Sequence, residues 1–197
     1  MLLPIMQVGE SVLRHRAEPL TMEEIRSPRL EELIEHMKET MREAPGVGLA
    51  APQIGLPLQL AVIEDREDLL KDVSPEKLAE TERAPVPFHV IINPRITLGD
   101  ERVEFFEGCL SVPKFGALVS RARHVTVDCQ NERGEAVRIE ASGWYSRILQ
   151  HEIDHLNGCL YIDRMSTRTF MTVDNFAKYW KSRSIADLLE ALEDERC

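Results

Sequence analysis

Three features are scarce in this sequence: long apolar runs, cysteine and positive charge. No stretch approaches the roughly 18 consecutive apolar residues that a membrane-spanning helix needs, so we expect no membrane segment. Basic residues number 24 against 34 acidic ones, and the net charge of −10 disfavours non-specific binding to nucleic acid or anionic lipid. The cysteines are four and widely spaced, which argues against a disulfide scaffold. Each thiol is therefore free to be a core residue or a metal ligand: Cys109, Cys129, Cys159 and Cys197.

The rest of the composition is that of an ordinary globular protein. The 197 residues are 43% hydrophobic and 29% charged, which suits one buried core and is short for two domains. We therefore expect a single domain over residues 1–197. Pro4 and Glu10 follow soon after Met1, a pattern without a secretory signal or a basic leader. We expect a cytoplasmic bacterial protein, with a processed organelle protein as the alternative.

Apolar periodicity indicates three helices and several short strands. Helical spacing predicts an N-terminal helix over 27–41, a central helix over 142–157 and a C-terminal helix over 185–192. The charged, proline-containing segment 64–87 is predicted to be a surface excursion without chemistry. Strands are predicted at 58–63, 88–93, 103–106, 119, 124–129 and 136–139. The fold class that follows is α+β, with mixed or antiparallel sheets packed around the central helix.

The central helix contains the pattern H-E-x-x-H. His151 and His155 are four residues apart, so on a helix both imidazoles project from one face and reach one metal ion. Glu152 stands beside them, where a general base of a metal-dependent hydrolase is expected. Because the pattern fixes only three identities, a second interpretation stays open. In that interpretation the histidines are hydrogen-bonded core residues and Glu152 is a solvated helix residue.

A catalytic site of the zinc type needs three protein ligands and one open position. The segment after the helix offers Asp163, whereas Cys109 lies upstream in the turn-like sequence EGCLSVP at 107–113. Gly108 allows close approach of the backbone there, so a thiolate ligand from Cys109 is credible. The alternative is a buried apolar cysteine, which we expect for the other three thiols.

A third segment is rich in small residues. GVGLAAPQ at 46–53 lets the backbone run close beside a substrate, and it ends in Gln53, whose amide can donate a hydrogen bond. Taken alone, the segment is equally compatible with a simple turn that leads into a strand.

Together these segments resemble one family. GVGLAAPQ at 46–53, EGCLSVP at 107–113 and QHEIDHLNG at 150–158 are similar, in order and spacing, to the three signature motifs of the peptide deformylases. The resemblance extends over about residues 3–165, and the segment 141–165 with the charged insertion at 64–87 is most similar to the subgroup that includes organelle deformylases.

The resemblance implies hydrolysis of the N-formyl group of the initiator methionine of nascent polypeptides at the ribosome, with release of formate. It implies metal ligands, an acid/base residue (Glu152) and oxyanion donors from Gln53 and the Leu110 N–H. Gly48 is implied to contact the substrate backbone. The implied ligands are Cys109, His151 and His155, and the implied methionine pocket is lined by Val47, Phe105, Trp144, Arg147 and Ile148.

One position departs from the family pattern. Many members carry Arg immediately before the Ala that follows EGCLSVP, and this chain has Gly116 ahead of Ala117. Binding of the peptide beyond methionine is therefore expected to differ, with Lys114 or Arg123 as candidate substitutes.

The chemistry expected of these residues is metal-assisted hydrolysis. A divalent ion makes water nucleophilic near neutral pH and polarises the formyl carbonyl, while Glu152 moves the water proton to the departing amine. Glu107 and Arg121, with Asp154 as a further partner, are expected to pair and hold the cysteine segment in place, and ordinary surface ion pairs are the alternative. The ligand types suit Zn²⁺, whereas the resemblance implies Fe²⁺, with Ni²⁺ or Co²⁺ as substitutes.

Two other functions compete with this interpretation. A peptidase that cleaves internal peptide bonds would use a third ligand other than Cys109 and would keep its activity in Cys109→Ser. A catalytically silent metal-binding protein would show metal-dependent melting that Glu152→Ala does not alter. No nucleic-acid or membrane partner is expected in any of the three cases.

Overall fold

Most of the strands follow one another in the middle of the chain, and helices precede and follow them. The computed structural model describes residues 1–71, 73–181 and 183–193. The helices found there are α1 (Met22–Ile25), α2 (Pro28–Glu43), α3 (Pro75–Thr81), α4 (Gly143–Leu156), α5 (Val173–Tyr179) and α6 (Ile185–Glu193). The strands are β1 (Gly48–Ala50), β2 (Leu60–Asp65), β3 (Val86–Leu98), β4 (Arg102–Cys109), β5 (Val112–Ala122), β6 (His124–Gln130), β7 (Ala136–Ser142) and β8 (Met171–Thr172).

The strands form two antiparallel sheets. A five-stranded sheet has the order β1-β2-β3-β6-β7, and a three-stranded sheet has the order β4-β5-β8. The long strand β3 tolerates Pro94 in its interior because the register shifts between Ile92 and Arg95, where Asn93 has a φ of 51°. The α+β class with antiparallel sheets is therefore confirmed.

The five-stranded sheet has helices on both faces. Side chains alternate sides along each strand, so one strand can pack against a helix on each face. In β2, Leu60 and Val62 join the apolar cluster that includes α2, whereas Ala61 and Ile63 join the cluster that includes α4. Fully burying one such aliphatic side chain is worth about 1.5–3 kcal/mol. The sheet thus fixes α4 from one side, and contacts with β5 of the smaller sheet fix it from another.

The two long helices follow their sequence signals closely. The Ser27 side chain accepts the N–H of Leu30 and Pro28 occupies the first turn, so α2 begins where it was predicted. Helix α4 ends before Gly158, whose φ of 74° closes the helix in the left-handed region. Both helices and the C-terminal helix α6 are confirmed.

Hairpin β4–β5 carries the predicted cysteine turn. The ladder closes with Cys109 opposite Val112, which leaves Leu110 and Ser111 as the two turn residues. The register shifts between Gly108 and Cys109, so the end of the hairpin departs from the regular ladder. This shift places the cysteine at the tip of the hairpin.

Parts of the C-terminal region were not predicted. Strand β8 pairs with β5, and α5 follows it directly. Segment 64–87 contains a short helix, α3, capped by the Ser74 side chain. Cys129 is buried in the core and Cys159 is half-buried, both as free thiols, whereas Cys197 lies outside the described residues. Of the helices described, none has the length and apolar character to span a bilayer.

Candidate metal centre

Three potential ligand atoms converge between helix α4 and the β4–β5 hairpin. The Cys109 Sγ lies 3.3 Å from the His155 Nε2, which lies 3.2 Å from the His151 Nε2. All three atoms are within 4.8 Å of one another, so the group could hold a metal ion. The two imidazoles come from consecutive turns of α4 and meet edge to face, with 78° between the ring planes. One sulfur and two imidazole nitrogens form a donor set suited to a borderline divalent ion.

The cysteine sulfur is held by N–H groups on both sides. The backbone N–H of Ser111 points at the Cys109 Sγ from 3.4 Å, and the side-chain amide of Gln53 does so from 3.6 Å. The turn and the Gln53 segment therefore fix the position of the sulfur.

Glu152 lies against strand β1 and depends on a glycine there. A Cβ added at Gly48 would stand 2.2 Å from the Glu152 Oε1 and 2.5 Å from its Cδ. The carboxylate is buried, its Oε2 has no hydrogen-bond partner among the described residues, and burial raises its pKa to about 7. A carboxyl group with this pKa can both accept and release a proton near neutral pH.

Glu107 connects the histidine, the hairpin and the helix. Its two carboxylate oxygens each accept a hydrogen bond from Arg121 at 2.9 Å. One oxygen also accepts from Arg147 at 2.5 Å, and the other lies 3.2 Å from the Nδ1 of His151. Burial opposes ionisation of Glu107, but the hydrogen bonds from His151 and Arg121 outweigh it and lower the pKa. The contact with Nδ1 leaves the Nε2 of His151 turned towards the cysteine.

The predicted pairing of Glu107, Arg121 and Asp154 is confirmed, and it is larger than predicted. Arg121 bridges Glu107 to Asp154. Asp154 also accepts two hydrogen bonds from Arg164, at 2.6 and 2.7 Å. Arg147 is a further partner that the sequence analysis missed, because nothing in its sequence neighbourhood indicates an ion pair across 40 residues.

Gln53 points its amide at the cysteine turn. Its Oε1 accepts the backbone N–H of Ala50 at 2.9 Å, and its Nε2 donates to the Ser111 hydroxyl at 3.2 Å. Leu110 lies in the same turn, where its carbonyl accepts a hydrogen bond from Gln7 at 3.2 Å. Segments GVGLAAPQ and EGCLSVP are therefore adjacent, as the site predicted from the sequence requires.

The residues predicted to line a methionine pocket do not all share one environment. Val47 and Trp144 pack against the apolar cluster that contains Ile148. Phe105 is buried outside that cluster, with the Arg147 guanidinium 5.2 Å from its ring centroid. Arg147 itself donates to the carbonyls of two strand residues, at 2.9 and 2.8 Å, as well as to Glu107. Its charge is thus committed to the hairpin rather than directed at a ligand.

The structure gives a steric reason for glycine at position 116, where many members of the resembled family carry arginine. A Cβ there would stand 2.3 Å from the ring of Phe106, which stacks on Phe176 of helix α5 with centroids 3.8 Å apart. Arg123, one candidate substitute for the missing arginine, is engaged in ion pairs with Glu82 and Glu101. Lys114, the other candidate, is exposed and has a φ of 68°.

A separate cavity lies behind helix α4. It has a volume of about 710 Å³ and is lined by Ile153 and Leu156 of the helix and by Asn157 directly after it, together with Arg16 and Arg95. None of the residues lining it belongs to the Cys109–His151–His155 group. The candidate metal centre is therefore identified by its converging ligand atoms and not by the volume of a cavity.

Comparison with known proteins identifies the family. The family model for polypeptide deformylase matches residues 2–171. The chain belongs to the polypeptide deformylase family. Peptide deformylase 1A, chloroplastic, from Solanum lycopersicum is 46% identical over 172 residues, which cover 87% of this chain and 62% of the relative. Peptide deformylase 3 from Streptomyces avermitilis is 43% identical over 197 residues, which cover 98% of this chain and 86% of that one.

Solved deformylase structures share the fold. The Met-Ala-Ser bound class I type b peptide deformylase from Acinetobacter baumannii matches with a TM-score of 0.75 and 34% identity, over 84% of this chain and 99% of that one. This deformylase-family chain spans less than two thirds of its plant organellar relatives, 62% of the tomato protein and 64% of the Arabidopsis thaliana protein. The resemblance inferred from the three motifs is confirmed.

Proposed function

We propose that the protein is a peptide deformylase, which hydrolyses the N-formyl group of formyl-methionyl peptides to formate and a free amine. The proposal is supported by family membership and by the Met-Ala-Ser peptide bound in the similar Acinetobacter baumannii enzyme. The observation that carries it is the convergence of Cys109, His151 and His155, with Glu152 on the same helix. Each identity that metal-assisted amide hydrolysis requires is present at one place.

The ligands in this proposal are Cys109, His151 and His155. The family is metal-dependent. The sulfur and the two nitrogen atoms lie within 4.8 Å of one another, so all three could bind the same divalent cation. A bound ion of this kind supplies a nucleophilic water near neutral pH and polarises the carbonyl under attack. We propose Fe²⁺ as the ion, as the family resemblance implies. Zn²⁺, Ni²⁺ and Co²⁺ are the proposed substitutes, because one thiolate and two imidazoles can also bind these ions.

Glu152 is the proposed acid/base residue. Its raised pKa and unpartnered Oε2 suit a carboxylate that takes the proton of the attacking water and passes it to the departing amine. The contact with Gly48 fixes where that carboxylate stands. Proton transfer by a positioned side chain typically contributes about 10²–10⁴ in rate.

Gln53 and the backbone N–H of Leu110 are the proposed donors to the oxyanion. As the formyl carbon becomes tetrahedral, negative charge grows on its oxygen, and donors fixed beforehand stabilise it. The hydrogen bonds from Gln53 to Ser111 and from Ala50 to Gln53 hold the amide at the cysteine turn. One such donor is commonly worth about 10²–10³ in rate.

Substrate binding is proposed to use strand β1 and an apolar pocket. The backbone at Gly48 would contact the peptide, and the methionine side chain would enter among apolar residues of the pocket. In this proposal the Phe105 ring borders the pocket, whereas the Arg147 guanidinium positions Glu107. The remaining pocket residues are Val47, Trp144 and Ile148.

We further propose that residues 1–197 form one catalytic domain that acts on nascent formyl-methionyl peptides at the ribosome, in the bacterial cytoplasm. The relative from Streptomyces avermitilis, which aligns over 98% of this chain, supports a bacterial setting. The plant relatives support the alternative of an organelle. Direct binding to nucleic acid is not part of the proposal.

The test is release of formate from formyl-Met-Ala-Ser by protein loaded anaerobically with Fe²⁺. We expect activity in the parent, a loss of about 10²–10⁴ in Glu152→Gln and near-complete loss in Cys109→Ser. Cys159→Ser is the matched control, because this half-buried thiol lies outside the ligand group. Cleavage of internal peptide bonds by a fully active Cys109→Ser protein would contradict the proposal. Stable, equal activity with Zn²⁺ in air would contradict the choice of iron.

A further inference from the structure

Two exposed aromatic rings stand beside the cysteine hairpin. Phe115 of β5 and Phe170, which directly precedes β8, stack with ring centroids 5.0 Å apart and 10° between their planes. Their exposed fractions are 39% and 41%. We call these two side chains the aromatic ledge. Two adjacent exposed rings offer an apolar surface on which a further aromatic or apolar side chain can pack.

The aromatic ledge lies on the same face of the small sheet as the candidate metal centre. Side chains alternate faces along β5, and the position of Gly116 is occupied by the ring of Phe106. Glu107, the neighbour of Phe106 in β4, faces α4, because it contacts His151. Phe115 is the neighbour of Gly116 and therefore shares the face of Glu107.

The ledge is also close to the cysteine along the ladder. Gly108 is opposite Gly116, and a Cβ at Gly108 would stand 3.6 Å from the carbonyl oxygen of Phe115. Cys109 is the next residue of the hairpin. Phe115 therefore lies at the Gly108–Cys109 end of the hairpin.

The position of Phe170 is fixed by its neighbours. The Thr169 side chain accepts the backbone N–H of Leu118 at 2.8 Å, and Thr172 pairs with Phe115 in the ladder. On the opposite face of the same strands, the Phe106 ring is covered by Phe176 of α5. The C-terminal segment therefore covers one aromatic residue of the hairpin and leaves the other accessible beside the site.

We propose that the aromatic ledge binds the side chains of the residues that follow methionine, and that it selects peptides with aromatic or apolar residues there. The inference rests on the proposed deformylase function. A peptide whose formyl group reaches Cys109 must leave the site over a neighbouring surface, and the ledge is an apolar surface next to that cysteine. Stacking on a ring gives about a 2- to 10-fold gain in kcat/KM over a small polar residue.

The test compares formate release from three peptides: formyl-Met-Ser-Ser, formyl-Met-Phe-Ser and formyl-Met-Ser-Phe. We expect the parent to prefer at least one phenylalanine peptide, mainly through a lower KM. In Phe115→Ala and Phe170→Ala this preference should fall to about 1, because kcat/KM for the phenylalanine peptides falls towards the value for formyl-Met-Ser-Ser. Phe115→Leu and Phe170→Leu give the same test if an alanine variant does not fold, because they keep the apolar packing and remove the ring.

Tyr179→Ala is the matched control, since Tyr179 is an exposed aromatic residue of α5 outside the ledge. It should keep the parental preference. Formate release from all three peptides without a preference, or a preference that survives both ledge variants, would overturn the role of the ledge alone. Failure of the metal-loaded parent to release formate from any peptide would overturn the proposed function itself.

Discussion

Replacing Gly48 with alanine tests whether the Glu152 carboxylate needs the space left by a glycine at position 48. The added Cβ would stand 2.2 Å from the Oε1 of Glu152, whereas a relaxed carbon–oxygen contact is about 3.3 Å. The carboxylate therefore has to move by roughly 1 Å. Misplacement of this size costs about 100-fold in rate, so we expect kcat/KM for formyl-Met-Ala-Ser to fall by about that factor.

The metal ligands should be almost unaffected by this change, because the contacts of the added methyl group are with Glu152. Metal content, measured after gel filtration, should equal that of the parent, and stability should fall by no more than about 1–3 kcal/mol. Gly46→Ala is the matched control. Its Cβ would stand 3.0 Å from the flexible end of the Leu110 side chain and at ordinary contact distances of 3.4 and 3.5 Å from the carbonyl oxygens of Gly48 and Met41, so activity should change little.

A double-mutant cycle shows whether the loss acts through the carboxylate. In a Glu152→Gln background the proton-transfer role is already lost, so adding Gly48→Ala should reduce kcat/KM much less than it does in the parent. Parental activity in Gly48→Ala, or full additivity of the two losses, would refute the reasoning.

Three further changes test the packing around the site. Glu107→Gln leaves buried arginines without their carboxylate and should lower the free energy of unfolding in urea by about 3–5 kcal/mol; a loss below about 1 kcal/mol would contradict this. Burial lowers the pKa of His89, whose Nε2 accepts from the Tyr145 hydroxyl. His89 therefore binds a proton at a higher pH in the unfolded chain than in the folded chain, and the free energy of unfolding should fall as the pH drops below about 6.5. This fall should be smaller in His89→Gln. Gly116→Arg should lower the melting temperature because of the Phe106 ring, and Phe106→Ala should restore part of it; an unchanged melting temperature would refute the clash.

The fold elements that the sequence predicts are those with a local cause. Ser27 and Pro28 mark the start of α2, and the repeat of apolar residues marks the buried face of α4. The spacing of His151 and His155 predicts their convergence because four residues make about one helical turn. The placement of Cys109 beside them is a long-range contact, which the sequence indicates through the turn-like segment around that cysteine and through the resemblance of the three motifs.

The remaining features depend on contacts that no local pattern encodes. Arg147 was assigned to the pocket wall, yet its guanidinium reaches Glu107 and strand carbonyls across the hairpin. Strand β8 is only two residues long, and pairing with β5 defines it rather than its own propensity. The need for glycine at Gly48 is also tertiary, because it arises from a side chain about 100 residues further along the chain.

The central claim is that the sulfur of Cys109 and the imidazoles of His151 and His155 share one cation. The most direct measurement is the absorption spectrum of the Co²⁺-loaded protein, in which a thiolate ligand produces an intense near-ultraviolet charge-transfer band. The account predicts one Co²⁺ per chain with this band in the parent and in Cys159→Ser, and loss of the band in Cys109→Ser. A band that persists in Cys109→Ser, or one bound Co²⁺ without the band in the parent, would contradict it.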